Sequence, residues 1–128
     1  MNDQTPVRVL IVDDQEPFRE ASRMVVELTD GFDVVGEAET GESGVDMARE
    51  LTPDLILMDV NMPGIDGMET TRRVLAENPS IIVFLVSTYE PAEYEPKAAE
   101  CGASAYIPKS SFGPDELETA WSNANASG

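Results

Sequence analysis

Three observations predict a doubly wound α/β fold built on a five-stranded parallel sheet. First, five short apolar, β-branched runs recur along the 128 residues: VRVLIV at 7–12, FDVVGE at 32–37, LILM at 55–58, IIVFLV at 81–86 and SAYIP at 104–108. Second, their starts are 25, 23, 26 and 23 residues apart, so each gap has room for a loop, a helix and a second loop. Third, the segments between them carry the helical period and not strand alternation. Repeated βα units with right-handed crossovers stack helices on both faces of a twisted sheet. For five strands the three-layer, flavodoxin-like (βα)5 arrangement with strand order 2-1-3-4-5 is the common solution.

Each helix has its own signals. The first carries Phe18, Ala21, Met24, Val25 and Leu28 on one face, and Asp30-Gly31 ends it. The second starts near Thr40, buries Val45, Ala48 and Leu51, and stops at Thr52-Pro53. The third opens at Asp66, three residues before Glu69, as in a capping box. It buries Met68, Val74 and Leu75 and ends at Asn78-Pro79. The fifth starts at Pro114, a favoured first helical position, and turns Leu117, Ala120 and Trp121 inward. The fourth segment contains Pro91 and Pro96, and an interior proline removes a hydrogen bond and clashes with the preceding turn. The expectation there is a short helix from about Glu95 to Cys101, closed by Gly102, after an irregular stretch. The terminal NANASG reads as a frayed end.

Composition narrows the function classes. A chain of this length favours one domain and buries roughly two-thirds of its unfolded surface. The formal net charge of −17 disfavours direct binding to nucleic acid or to anionic membranes. No apolar run approaches a membrane span, and the N-terminus lacks a signal-sequence pattern, so a soluble, cytoplasmic protein is expected. The single Cys101 excludes an internal disulfide, and with no histidine present a zinc site is not expected. Only two lysines occur, Lys97 and Lys109, so the position of each is informative.

In a sheet of this topology, ligands bind beyond the carboxyl ends of the strands, where the strand order reverses. That edge collects Asp13 and Asp14 after strand one, Asp59 after strand three, Ser87 and Thr88 after strand four, and Lys109 after strand five. Three carboxylates in one pocket raise one another's pKa and cost stability unless a cation joins them. Mg2+ suits an all-oxygen site with one or two carboxylates and a phosphate. A carboxylate beside a metal, a lysine and a hydroxyl is a phosphoryl-acceptor arrangement, with Asp59 as the nucleophile.

Taken together, these motifs resemble the receiver domain of two-component response regulators, related to the chemotaxis regulator and closest to receivers that precede LuxR-type output domains. LIVDDQ resembles the family's first acidic motif, LILMDVNMPGIDG its phosphoacceptor strand and loop, FLVST its hydroxyl-bearing strand, and GASAYIPKS its Tyr-x-x-Lys segment. The resemblance covers about residues 7–124. It implies a single receiver domain over 1–124 and a flexible tail at 125–128. It also implies either a stand-alone receiver or one cut from a larger regulator.

The resemblance further implies roles. Asp14 would ligate Mg2+ directly and Asp13 through water. Asp59 would ligate it and accept the phosphoryl group, and Asn61 would offer its backbone carbonyl. Lys109 would pair with the phosphoryl oxygens. Ser87 would swing its hydroxyl onto them, and Tyr106 would turn inward into the vacated space. Pro63 and Gly67 would shape the loop. The donor would be a phosphohistidine of a separate sensor histidine kinase. The readout surface would be helix four, strand five and helix five, facing a protein target, an output domain or a second copy in a phosphorylation-dependent homodimer. The chemistry would be self-phosphorylation and autodephosphorylation, not that of a turnover enzyme.

Thr88 stands where the family usually has a smaller residue and would narrow the approach to Asp59; Tyr89 would shield the phosphoryl group from water. Glu90, Glu93, Glu95 and Glu100 make the region of the readout face acidic. Three rival readings meet specific residues. A degenerate receiver would act as a phosphorylation-independent binding module, but the acidic residues and Lys109 are intact. A haloacid-dehalogenase-type phosphohydrolase needs a second aspartate where Asn61 stands, and an amide cannot exchange the proton. A flavodoxin needs a phosphate-cradling loop where Asp13 and Asp14 would repel phosphate.

Overall fold

The computed structural model describes residues 5–88 and 91–126. Five parallel strands, β1 (Val7–Val12), β2 (Phe32–Ala38), β3 (Leu55–Asp59), β4 (Ile82–Ser87) and β5 (Ala105–Pro108), form one sheet in the order β2-β1-β3-β4-β5. They alternate with α1 (Glu16–Leu28), α2 (Gly41–Leu51), α3 (Gly67–Glu77), α4 (Pro91–Cys101) and α5 (Pro114–Ala126). This is the flavodoxin-like architecture expected from the spacing. No helix among the described residues is long and apolar enough to cross a membrane.

Strand alternation divides the core in two. Leu10, Val12, Ile56, Met58, Val83, Leu85 and Tyr106 pack with α2, α3 and α4. Val9, Ile11, Leu55, Leu57, Phe84, Val86 and Ile107 pack with α1 and α5. Both faces of the central strands are covered, which is why they read as continuous apolar runs. A register shift between Val9 and Leu10 breaks the β1–β2 ladder: Val9 pairs with Val34, but Leu10 pairs with Gly36. The extra residue reverses the alternation. Val34 therefore joins the α1 side, Ala38 joins the α2 side, and Glu37 between them reaches the arginines of α1.

Two of the caps follow the sequence closely. The Thr40 side chain accepts from the Ser43 N–H at 3.0 Å, and the Asp66 side chain accepts from the Glu69 N–H at 2.8 Å.

Three expectations need correction. Helix α4 is continuous from Pro91 to Cys101, with Pro96 inside it. Pro91 occupies the first helical position, where its missing N–H costs nothing, so the helix begins earlier than expected and absorbs one lost bond at Pro96. The buried side of α1 is also rotated from the expected face. Ser22, Val26 and the cap residue Thr29 are buried, whereas Met24 is 61% and Leu28 69% exposed. Small polar residues occupy inward sites, so counting apolar residues misjudges the phase. Finally, Asn125 and Ala126, expected in a flexible tail, are helical. Asn125 donates to the Trp121 carbonyl at 2.8 Å, satisfying a group near the helix end.

Candidate functional site

The strand ends bring the expected residues to one edge. Asp13 directly follows β1, Asp59 is the last residue of β3, Ser87 the last of β4, and Lys109 the first after β5. Asp59 and Val86 are register partners, so Ser87 stands one residue beyond Asp59 on the neighbouring strand. Carboxylate oxygens of Asp13, Asp14 and Asp59 all lie within 4.8 Å of one another. Asp13 and Asp59 are buried, whereas Asp14 is exposed at the mouth.

Lys109 is the counter-charge. Its Nζ is 3.1 Å from Asp13 Oδ2 and 3.6 Å from Asp59 Oδ1. It donates to Gln15 Oε1 at 3.2 Å and sits 4.3 Å above the centre of the Phe18 ring. Lys109 thus pairs with two of the three clustered carboxylates, so the pocket carries excess negative charge. Burial, then the neighbouring Asp13 charge, push the Asp59 carboxyl up to about 7; Lys109 opposes the shift and Asp14 adds to it. All the clustered donors are hard oxygens, the charge is uncompensated, and an octahedral Mg2+ spans ligands up to about 4.2 Å apart. The residues therefore fit that ion, with room for a bridging water.

The acid loop is tied down on several sides. Asp13 Oδ1 accepts from the Gln15 N–H at 2.8 Å, the Asp13 N–H donates to the Ala38 carbonyl at 3.0 Å, and Arg19 Nη1 donates to the Asp13 carbonyl at 2.7 Å. Across the pocket, the Gly67 N–H donates to the Val60 carbonyl at 2.8 Å. A Cβ on Gly67 would lie 2.0 Å from the Asp59 carbonyl oxygen, so only glycine lets the loop close this tightly beneath Asp59.

The remaining predicted residues divide by position. Ser87 is buried, while Thr88 and Asn61 are exposed. Tyr106, expected to move inward on signalling, already lies inward at 8% exposure, in the same core cluster as Ala98 and Cys101 of α4. Tyr89 and Glu90 lie outside the described residues. Gln15 and Arg19 were not singled out from the sequence. Their one signal is proximity, since both fall within the turn and first helical turns after the Asp13-Asp14 pair.

Residues 9–122 match the response regulator receiver domain family. Response regulator GacA of Pseudomonas viridiflava is 43% identical over 104 residues, covering 80% of this chain and 48% of that protein. The nitrate/nitrite response regulator protein NarL of Escherichia coli strain K12 is 38% identical over 128 residues, covering 98% of this chain and 58% of NarL. The chain thus spans about half the length of the curated relatives it matches. Among solved structures, a LuxR-family two-component response regulator from Aurantimonas sp. SI85-9A1 superposes with a TM-score of 0.86 at 32% identity, covering 96% of this chain and 87% of that one. The response regulator domain of Thermotoga maritima CheB superposes with a TM-score of 0.83 at 30% identity, covering 94% and 97%.

Proposed function

The chain belongs to the response regulator receiver domain family, and from that premise we propose that Asp59 accepts a phosphoryl group from a phosphohistidine on a separate sensor kinase. The observation that carries this reading is the meeting of Asp13, Asp14 and Asp59 at one sheet edge with Lys109 Nζ 3.6 Å from the Asp59 carboxylate. Asp14 and Asp59 would hold Mg2+ directly, Asp13 through water, and Asn61 through its backbone carbonyl. The water-mediated part suits Asp13, whose two oxygens already engage the Gln15 N–H and Lys109. When bound, the ion neutralises the charge on the oxygens of the transferring group.

In the transfer, an Asp59 oxygen forms the new bond to phosphorus. The phosphorus–nitrogen bond of the donor breaks, and its electron pair returns to the imidazole, which takes up a proton. Lys109 supplies positive charge to the phosphoryl oxygens from its place beside Asp59. Attack of water on phosphorus later breaks the bond to Asp59, restores the free carboxylate and releases inorganic phosphate; the modified protein itself is the signal, so the protein acts as a switch. Exposed Thr88, next to Ser87, sets how open the approach is.

The switch follows from contacts that exist only in the modified state. Phosphorylation turns the one negative charge of the carboxylate into about two and adds three acceptor oxygens. Ser87 and Lys109 gain partners there, and only such differential contacts shift an equilibrium. Tyr106 pairs in register with Leu85 on β4 and shares a cluster with α4. Closure of Ser87 would therefore lock an inward Tyr106 in place, altering the face formed by α4, β5 and α5. That face would signal to a protein target, an output domain or a second copy.

The test is incubation with a small phosphodonor and Mg2+, read by intact mass. One added phosphoryl group on the wild type and none on Asp59→Asn is expected. Equal labelling of the two would defeat the assignment.

A further inference from the structure

We propose that Arg19 is a positioning residue for cation binding: aimed by Glu37, its guanidinium fixes the Asp13–Asp14 peptide so that both carboxylates converge on Asp59. This rests on the reading of Asp13, Asp14 and Asp59 as the Mg2+ site.

The geometry is specific. Arg19 lies one turn into α1 and reaches back past the helix start to the Asp13 carbonyl, 2.7 Å from Nη1. That carbonyl belongs to the peptide unit joining the two acidic residues, so its orientation sets how the two side chains diverge. The Arg19 side chain is only 12% exposed, and its Nε faces Glu37 Oε1 at 3.6 Å. Glu37 is in turn held by Arg23. Glu37 reaches α1 because of the β2 register shift between Val34 and Gly36, and a regular ladder would have turned it to the other face. The chain of contacts thus runs from a strand irregularity, through a planar guanidinium with fixed donor directions, to the backbone of the acid pair. Arg19 touches neither Asp14 nor Asp59 in any hydrogen bond or ion pair found among the described residues. Its action is through the peptide.

Charge and positioning predict opposite signs, which makes the idea testable. Removing a cation beside three carboxylates should tighten Mg2+ binding if charge alone mattered. Removing a positioning contact should weaken it. The experiment titrates MgCl2 into wild type, Arg19→Lys, Arg19→Met and Glu37→Asp by calorimetry, with 15N relaxation of the Asp14 and Gln15 amides in the metal-free proteins.

Arg19→Lys keeps the charge but loses the planar fork, and Mg2+ affinity should fall about tenfold. Arg19→Met should weaken binding too, against the electrostatic expectation. Glu37→Asp, which keeps its charge and shortens the reach, should weaken it less and remains informative if Arg19 variants fold poorly. The Asp14 and Gln15 amides should become more mobile in every variant. Wild-type affinity in Arg19→Lys, or tighter binding in Arg19→Met, would overturn the proposal. Failure of the wild type to bind Mg2+ would instead defeat the functional reading. The metal-free relaxation would then decide about Arg19, with unchanged amides counting against it.

Discussion

The two halves of the sheet's carboxyl edge are built differently. On the β1–β3 side, the Asp13 backbone and side chain are tied to Ala38, Gln15, Arg19 and Lys109, and Gly67 closes under Asp59. On the β4–β5 side, α4 carries an interior proline, and among its described side chains only Ala98 and Cys101 are buried. The chemistry is therefore placed on a braced loop, and the proposed readout on a helix weakened by an interior proline. Low local stability is what a segment that must shift between two arrangements requires.

The largest test of this contrast is electrostatic. In metal-free protein, the folded Asp59 carboxyl titrates near 7, whereas the unfolded one titrates near 3.8. The folded state holds this proton more tightly, so the associated stability is fully present below about pH 4. It is lost as pH rises to about 7 and changes little above that. At about 1.36 kcal/mol per pH unit the full shift would be worth about 4 kcal/mol, and solvent screening at the pocket mouth reduces the loss to about 2 kcal/mol or less. Urea melts in chelator should show Asp59→Asn overtaking the wild type as pH rises from 4 to 8, with Mg2+ reducing the gap. Parallel pH profiles would show that the acid pocket is not strained.

Next comes the brace itself. Gly67→Ala must push the loop away from the Asp59 carbonyl, and a loss of about 3 kcal/mol is expected in urea melts. A loss under 1 kcal/mol would mean that the acid side yields as easily as the readout side. On the other half, Pro96→Ala should stabilise α4 by about 2 kcal/mol by restoring a hydrogen bond and relieving a clash. Slower amide exchange confined to α4 is the signature, and no change there would show that Pro96 does not weaken this helix.

The smaller effects lie away from both halves. Ser22 Oγ is buried with no hydrogen-bond partner among the described residues, so Ser22→Ala should raise stability by about 1 kcal/mol in thermal or urea melts. The Trp121 ring packs edge-on against Phe32, at the start of β2 and therefore at the opposite end of the sheet from Asp59. Its fluorescence should change little on adding Mg2+, and strong quenching would mean that the two ends of the domain are coupled.

Most of the architecture was legible because its determinants are local and repeated. Five apolar runs at near-constant spacing, Thr40 and Asp66 as caps, and Pro114 as a helix start each act over a few residues. The candidate site was legible for a related reason, since strand-end positions in a parallel sheet converge whatever the side chains are. What escaped reading depends on phase. The inward side of α1 was misjudged because Ser22 takes an inward place while Met24 and Leu28 turn outward. The length of α4 was misjudged because a proline at the first helical position and one inside a helix look alike in sequence.

By itself, then, the sequence determined the order of elements, the sheet topology and the identities of Asp13, Asp14, Asp59 and Lys109 as neighbours, because hydrophobic period and chain direction suffice for these. Only the tertiary structure decided how those four groups are held. The Lys109 ammonium is shared among Asp13, Asp59, Gln15 and Phe18, and Arg19 grips the Asp13 carbonyl through an orientation set by Glu37. These contacts join residues up to 94 positions apart and depend on rotamers, helix phase and one strand irregularity. Such quantities are settled when the layers pack together, and no local pattern in the chain encodes them.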